Sequence, residues 1–258
     1  MSRIKCPVCG YAYDEEEAVC PNCRFPNVSF MQETRQEKKK YLAMIEEYRK
    51  NHAFTRAEEP VSDTCITFGS YRQDKDGKKQ PIEWLVLERQ GSRCLLLGKN
   101  ILDFQQYNAH YQNVTWEDCS LRKWLNEEFL EEAFSKAEQA QIQKTTVKAD
   151  RHPLHDTDPG KDTSDKLFLL SCSEAERYFS SNSERTCGIT DYAAAKGACA
   201  KSLFRWNGRD ASYWWLRTPG KSAKFAADIA LDGSIGKDGI LVTSSYGVRP
   251  AMWVTVDP

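Results

Sequence analysis

Four cysteines near the amino terminus, Cys6, Cys9, Cys20 and Cys23, form two Cys-x-x-Cys pairs with ten residues between them. Each pair, in Cys6-Pro7-Val8-Cys9-Gly10 and Cys20-Pro21-Asn22-Cys23, can wrap into a tight knuckle that turns two thiolates toward one tetrahedral ion. Gly10 supplies permissive dihedrals just past the first knuckle. The spacing predicts one structural Zn²⁺ per chain, held by Cys6, Cys9, Cys20 and Cys23. Four thiolates leave no coordination position for water or substrate, so this metal would do no catalysis. A segment of about 25 residues buries too little apolar surface to fold alone, and zinc binding worth roughly 10–16 kcal/mol would fold it. A redox motif needs only one such pair, and a disulfide framework needs an oxidising compartment, so both fit the doubled pattern less well.

The other cysteines, Cys65, Cys94, Cys119, Cys172, Cys187 and Cys199, fall at irregular intervals, several within apolar runs such as Cys94-Leu95-Leu96-Leu97. They read as free buried thiols behaving as small apolar side chains. No GxGxxG, Walker A or Gly-x-Ser-x-Gly pattern occurs, so no enzyme template is filled. An enzymatic reading would have to use the thiol of Cys187 or Cys199, or a carboxylate such as Asp228 or Asp232. Carboxylates beside a β-turn are usually turn residues. His152, His155, Asp156 and Asp158 fall on a Pro-broken stretch without the helical frame that would aim two imidazoles at one ion, so no metal is expected there.

The segment 204–213 is the candidate binding surface. Trp206, Arg209 and Tyr213 flank an Asn207-Gly208 turn, and aromatic side chains with arginine are the common anchors of interfaces. Trp214, Trp215, Arg217 and Arg249 have strand-like neighbours and are expected in the core.

Positioning these groups needs more than the ribbon. The chain has 258 residues, which divide into a zinc ribbon (1–28), a charged spacer helix with linker (29–61) and a large domain (62–258) with one well-buried core. Residues 32–49 hold no Gly or Pro, and their apolar Tyr41, Leu42, Met44, Ile45 and Tyr48 make a stripe too short for a self-sufficient coiled coil. Residues 51–63 read as an exposed linker. The balance of 36 basic and 37 acidic residues, with Arg3, Lys5 and Arg24 against Asp14, Glu15, Glu16 and Glu17 in the ribbon, gives no footprint for nucleic acid or an anionic membrane. The opening residues form no apolar leader and no later run is long enough to span a bilayer. A soluble cytoplasmic protein is expected, with no membrane or nucleic-acid partner and with an unknown protein or small ligand as its partner.

Strand patterns cover 64–68, 82–88 and 93–97, the first two joined across Asp76-Gly77. The run Ile82-Glu83-Trp84-Leu85-Val86-Leu87 suits a strand buried on both faces. Helix starts are signalled by the capping pairs Thr115 with Asp118, Ser135 with Glu138 and Ser173 with Glu176. On the first helix Trp116, Ser120 and Trp124 share a face with Cys119, while Arg122, Lys123 and Glu127 point outward. Residues 144–166 read as a long surface loop. Phe225, Ala227, Ile229 and Leu231 then alternate up to Asp232-Gly233, Asp238-Gly239 precedes another strand, and 248–256 closes the chain. Strands, helices, loop, helices and strands in that order predict an α+β fold with a mainly antiparallel sheet.

Five separated motifs occur in order: Phe68-Gly69-Ser70-Tyr71-Arg72-Gln73, Glu83-Trp84-Leu85-Val86-Leu87, Ser120-Leu121-Arg122-Lys123-Trp124-Leu125-Asn126, Trp214-Trp215-Leu216-Arg217-Thr218-Pro219-Gly220 and Gly247-Val248-Arg249-Pro250-Ala251. Over residues 62–258 they resemble a bacterial domain family of unknown function that is similar to the C-type-lectin-like fold of lectins, formylglycine-generating enzymes and the variable proteins of diversity-generating retroelements. The resemblance implies a twisted, mainly antiparallel sheet with flanking helices, both domain ends brought together, and irregular loops between late strands carrying a binding surface. The calcium-site tripeptides of the lectins do not occur, Trp206-Asn207-Gly208 being the nearest approach. The reactive cysteine pair of the formylglycine-generating enzymes has no counterpart, since Cys187 and Cys199 are twelve residues apart. The combined expectation is a non-catalytic ligand- or protein-binding module with the zinc ribbon as docking element; the alternative is an enzyme on a formylglycine-generating-enzyme-like fold.

Overall fold

The structure is a computed structural model that describes residues 3–5, 12–14, 65–197, 205–206 and 208–255. The chain divides into two compact units, Met1–Glu58 and Glu59–Pro258. In the first, β1 (Arg3–Lys5) and β2 (Ala12–Asp14) pair antiparallel with Ile4 opposite Tyr13, so the two strands bracket the segment carrying Cys6 and Cys9. The four cysteines of the expected zinc site, the spacer helix at 32–49 and the linker lie outside the described residues.

The second unit is α+β, with mostly antiparallel sheets. Its opening strands are β3 (Cys65–Arg72), β4 (Lys79–Gln90) and β5 (Arg93–Gly98), close to where alternation and turn residues put them. The β3–β4 turn is made by Asp74, whose Oδ1 accepts the backbone N–H groups of Asp76 and Lys78, and by Gly77 at a left-handed φ of 77°. Ile82, Trp84, Leu85 and Val86 are all buried, so β4 is covered on both faces there, while Glu83 remains exposed. Cys65 is exposed, against the expectation of a buried thiol, because it begins the edge strand of its sheet; Cys94, Cys119, Cys172 and Cys187 are free and buried.

After β6 (Asp103–Gln106), α1 (Ser120–Trp124) continues through a π-helical turn (Leu125–Phe129) into α2 (Leu130–Ala133), followed by α3 (Lys136–Gln141). Ser135 and Glu138 form the expected reciprocal cap on α3. Thr115 is not a cap. Its carbonyl accepts the N–H groups of Asp118 and Cys119 in a turn, and the Cys119 thiol caps α1 by accepting Arg122 N–H at 3.4 Å. Trp116 therefore precedes the helix instead of riding on it. Arg122 does not point freely outward either, since its guanidinium lies 2.8 Å from the buried Asp165 carboxylate.

Residues 144–166 hold the expected long loop at 148–162, but its ends are strands: β7 (Ile142–Gln143) precedes it, and β8 (Thr145–Val147) pairs with β9 (Thr163–Asp165). The next cap lies two residues ahead of its predicted place, with Ser171 and Glu174 opening α4 (Cys172–Tyr178). Ser173 is drawn away by Asp150, which accepts its hydroxyl at 2.8 Å. Short helices α5 (Asn182–Arg185) and α6 (Asp191–Ala195) follow, and then the hairpin β10 (Arg205–Trp206) and β11 (Arg209–Asp210).

The last strands are β12 (Trp214–Pro219), β13 (Phe225–Ile229), β14 (Ile235–Leu241), β15 (Ser245–Val248) and β16 (Ala251–Thr255). Two five-stranded sheets result, ordered β3-β4-β5-β16-β7 and β14-β13-β12-β15-β6, with β12 and β15 parallel. The expected alternation of β13 is absent: Ala226, Ala227, Asp228 and Ile229 are all buried, because the strand is covered on both faces. Asp238-Gly239 lies inside β14, where Gly239 at φ 73° passes so close to Ala226 that a Cβ would stand 2.5 Å from its carbonyl oxygen. Trp214, Trp215, Arg217 and Arg249 are buried as expected.

Candidate functional site

The register of the second sheet decides which side chains share a face. Gln105 lies opposite Tyr246 and Gln106 opposite Ser245; Trp214 pairs with both Gly247 and Ile229; Trp215 pairs with Asp228, and Asp228 with Gly236. Since side chains alternate along a strand, Gly236, Asp228 and Trp215 form a row across β14, β13 and β12 that Tyr246 and Gln105 continue diagonally on the same face, while Trp214, Phe104, Gln106 and Ser245 face the other way.

A concave cleft with room for about 460 Å³ opens where β6 and β15 meet α1 and the π turn. Phe104, Leu121 and Trp124 supply its apolar surface, and Gln106, Ser120 and Ser245 surround them with amide and hydroxyl groups. Lys123, Glu127 and Glu128 add charges from the helix wall. The helix is fixed here by the Asn108 side chain, which accepts Ser120 N–H at 3.1 Å, and by the Ser120 hydroxyl, which accepts Ala109 N–H at 2.9 Å. The π turn widens the helix just where Glu127 and Glu128 join the wall, a placement common at binding sites.

The row on the other face has a different chemistry. The Trp215 and Tyr246 rings lie 4.9 Å apart at 31°, and Tyr213 packs against Tyr246 at 5.0 Å and 34°. The Trp215 indole N–H donates to the Gln105 carbonyl at 2.9 Å, which fixes the ring in the row. Asp228 is only 5% exposed, and burial pushes its carboxyl up to about 7. Burial, followed by the charges of Asp228 and Tyr213, raises the Tyr246 hydroxyl to about 12.

The residues singled out in the sequence scatter. Tyr213 joins this aromatic row, whereas Arg209 turns to α6, its guanidinium 3.4 Å from both the Asp191 carboxylate and the Ile189 carbonyl. Trp206 pairs with Arg209 across the β10–β11 hairpin, whose Gly208 has φ 78°, but its side chain lies outside the described residues. Cys187 is fully buried, its thiol raised by burial and donating at 3.5 Å to the Lys99 carbonyl, which is the state of a packing residue and not of a nucleophile. Cys199 lies outside the described residues. Asp232 is a turn residue, accepting from Ser234 N–H and its hydroxyl at 3.0 and 2.6 Å.

His152 and His155 gather with Asp238 instead of Asp156 and Asp158. Both ring nitrogens of His152 are committed: Nδ1 accepts the N–H groups of Leu154 and His155, so Nε2 carries the proton and donates to the Lys237 carbonyl at 2.7 Å. With His152 so engaged, the cluster holds a loop end in place and offers no ready metal ligand set. The cleft residues and Tyr246 escaped the sequence reading because they come from strands and a helix far apart in the chain; Tyr246 lay in the polar run Thr243-Ser244-Ser245, where an isolated aromatic was the available signal.

Residues 91–256 match the family described as a domain of unknown function, DUF6273. No curated protein and no solved structure matches the chain. Among the described residues no helix is long and apolar enough to cross a membrane.

Proposed function

Because the chain belongs to the DUF6273 family, which is defined by a shared domain and not by an activity, we propose its role from the site itself: a non-catalytic ligand-binding module on a C-type-lectin-like scaffold, with a structural zinc ribbon as the docking element. The observation that carries this reading is the cleft at β6, β15 and α1. It combines an aromatic floor with amides and hydroxyls and a charged helix wall of Lys123, Glu127 and Glu128, and no nucleophile paired with a base lies among its lining residues. The enzymatic alternative loses its thiol at Cys187, and the raised carboxyl of Asp228 lacks a hydrogen-bonded partner among the described residues with which to pass a proton. The β10–β11 hairpin with Trp206 and Arg209 remains the proposed contact for a protein partner, and zinc at Cys6, Cys9, Cys20 and Cys23 the proposed metal.

The test is a ligand-observed NMR screen of the zinc-loaded full chain against small polar compounds and glycans. Hits should weaken at least about tenfold in Trp124→Ala, the scale of an aromatic anchor. Hits indifferent to Trp124→Ala and Gln106→Ala, or turnover of any compound, would remove the cleft-binding reading. Trp206→Ala should leave folding unchanged while weakening capture of a protein partner; a large loss of stability would place Trp206 in the core.

A further inference from the structure

The Asp228 carboxylate is nearly removed from water, yet among the described residues it has neither a hydrogen-bond donor nor a cation beside it. Burying an unpaired carboxylate is costly, so structural carboxylates at this depth are normally supplied with partners. Asp165, equally buried, shows what the fold does elsewhere: it is met by Arg122, by the Trp116 indole N–H and by the Thr163 hydroxyl. Asp103 is met by Lys196 and by the Tyr71 hydroxyl. Lys237, next in sequence to Gly236, is held 2.8 Å from Glu176, and Lys221 sits over the Phe225 ring at 4.8 Å. Its β14 neighbour is Gly236, over whose Cα the carboxylate rests, so no side chain from β14 meets it there. On its other side the row continues through Trp215 to Tyr246 and Tyr213, with ring planes 31° and 34° apart and centroids about 5 Å apart.

We propose that Asp228, Tyr246 and Tyr213 form a subsite for an organic cation, an ammonium or guanidinium head on an aliphatic stem. A lone carboxylate lacks the six or more oxygen ligands a hard divalent ion requires, which excludes calcium and magnesium as the natural occupant. Aromatic faces instead attract a cation with an apolar stem, and the carboxylate supplies the counter-charge from the same face of the sheet. The head is the terminal group of a free amine or of a lysine or arginine side chain on a peptide. The row lies on the face of the sheet opposite Phe104, Gln106 and Ser245, so the subsite does not depend on the cleft being occupied.

The full chain is titrated at pH 8 with n-butylammonium, with the neutral alcohol 1-pentanol, and with the blocked peptide acetyl-Gly-Lys-Gly-amide, following tyrosine and tryptophan fluorescence. Saturable binding of the cations and not of the alcohol is expected, about tenfold weaker in Asp228→Asn and several-fold weaker in Tyr246→Leu. The tighter of amine and peptide tells a free ligand from a side chain. Equal response to butylammonium and pentanol, or no saturation by either cation, overturns the subsite; this comparison uses the unsubstituted protein and holds even where a variant folds poorly. Unchanged affinity in folded Asp228→Asn overturns it as well. Loss of cleft ligands in Trp124→Ala is a separate outcome and leaves this one standing.

Discussion

A Cβ added to Gly236 would stand 2.5 Å from Oδ1 of Asp228, so the carboxylate occupies space that any other residue on β14 would claim. Gly236→Ala should therefore destabilise the protein by about 1–3 kcal/mol through overpacking. Combining it with Asp228→Gly should recover most of that loss, because the clash needs both side chains. Urea denaturation of the two single variants and the pair checks the coupling. Additive losses would mean that the two positions do not crowd one another.

The same carboxylate makes stability depend on pH. Its folded value is raised from 3.8 to about 7, so between these limits the native chain keeps a proton that the unfolded chain has released. Unfolding free energy is then greatest below about pH 4, declines up to about pH 7 and levels beyond it, by up to about 4 kcal/mol for this one group. Asp228→Asn cannot titrate, so its stability relative to the parent should rise from pH 5 to pH 8. Parallel stability profiles for the two proteins over that interval would contradict the assignment.

Local patterns carried most of what was legible in the sequence. The β3–β4 turn, the strands around Trp84 and Leu96, and the Ser135 cap follow from residue types within a few positions of each other. What failed was decided by competition between neighbours. Ser171 and Ser173 both precede an acid at the capping distance, and only the hydrogen bond from Ser173 to Asp150, 23 residues away, chooses between them. Thr115 lost its cap to Cys119 because a thiol is not among the usual capping groups. The row through Asp228 was unreadable for another reason: strands β14, β13, β12, β15 and β6 are joined out of chain order, and no short-range pattern says that residue 105 lies opposite residue 246.

Arg249 offers a test of how the core tolerates charge. Its Nε donates to the Gly98 carbonyl at 2.8 Å and its guanidinium lies 4.9 Å from the Trp214 ring and 5.6 Å from Phe179, but both terminal nitrogens are buried with no hydrogen-bond partner among the described residues. Burial lowers its proton affinity, the sign of a charge that the interior disfavours. Arg249→Met keeps the stem between the two rings and removes the charge, so its stability should stay within about 1 kcal/mol of the parent or exceed it. Arg249→Ala should cost about 2–5 kcal/mol by leaving a cavity. Thermal and urea unfolding would separate them; equal losses in both variants would mean that the guanidinium itself is required.

The zinc proposal can be tested without any ligand. The hairpin of Arg3–Lys5 with Ala12–Asp14 brackets the first Cys-x-x-Cys pair, and four thiolates at Cys6, Cys9, Cys20 and Cys23 would complete a closed tetrahedral shell. Purified protein should hold about one equivalent of zinc, since metal binding supplies the folding free energy of so small a unit. Cys20→Ser should release the ion and expose the backbone amides of residues 3–5 and 12–14 to hydrogen exchange. The unit Glu59–Pro258 has its own core and should then unfold at the same denaturant concentration as before. Metal-free protein whose amides at 3–5 stay protected would refute the zinc site, while a shift in the unfolding of the larger unit would show that the two units share their stability.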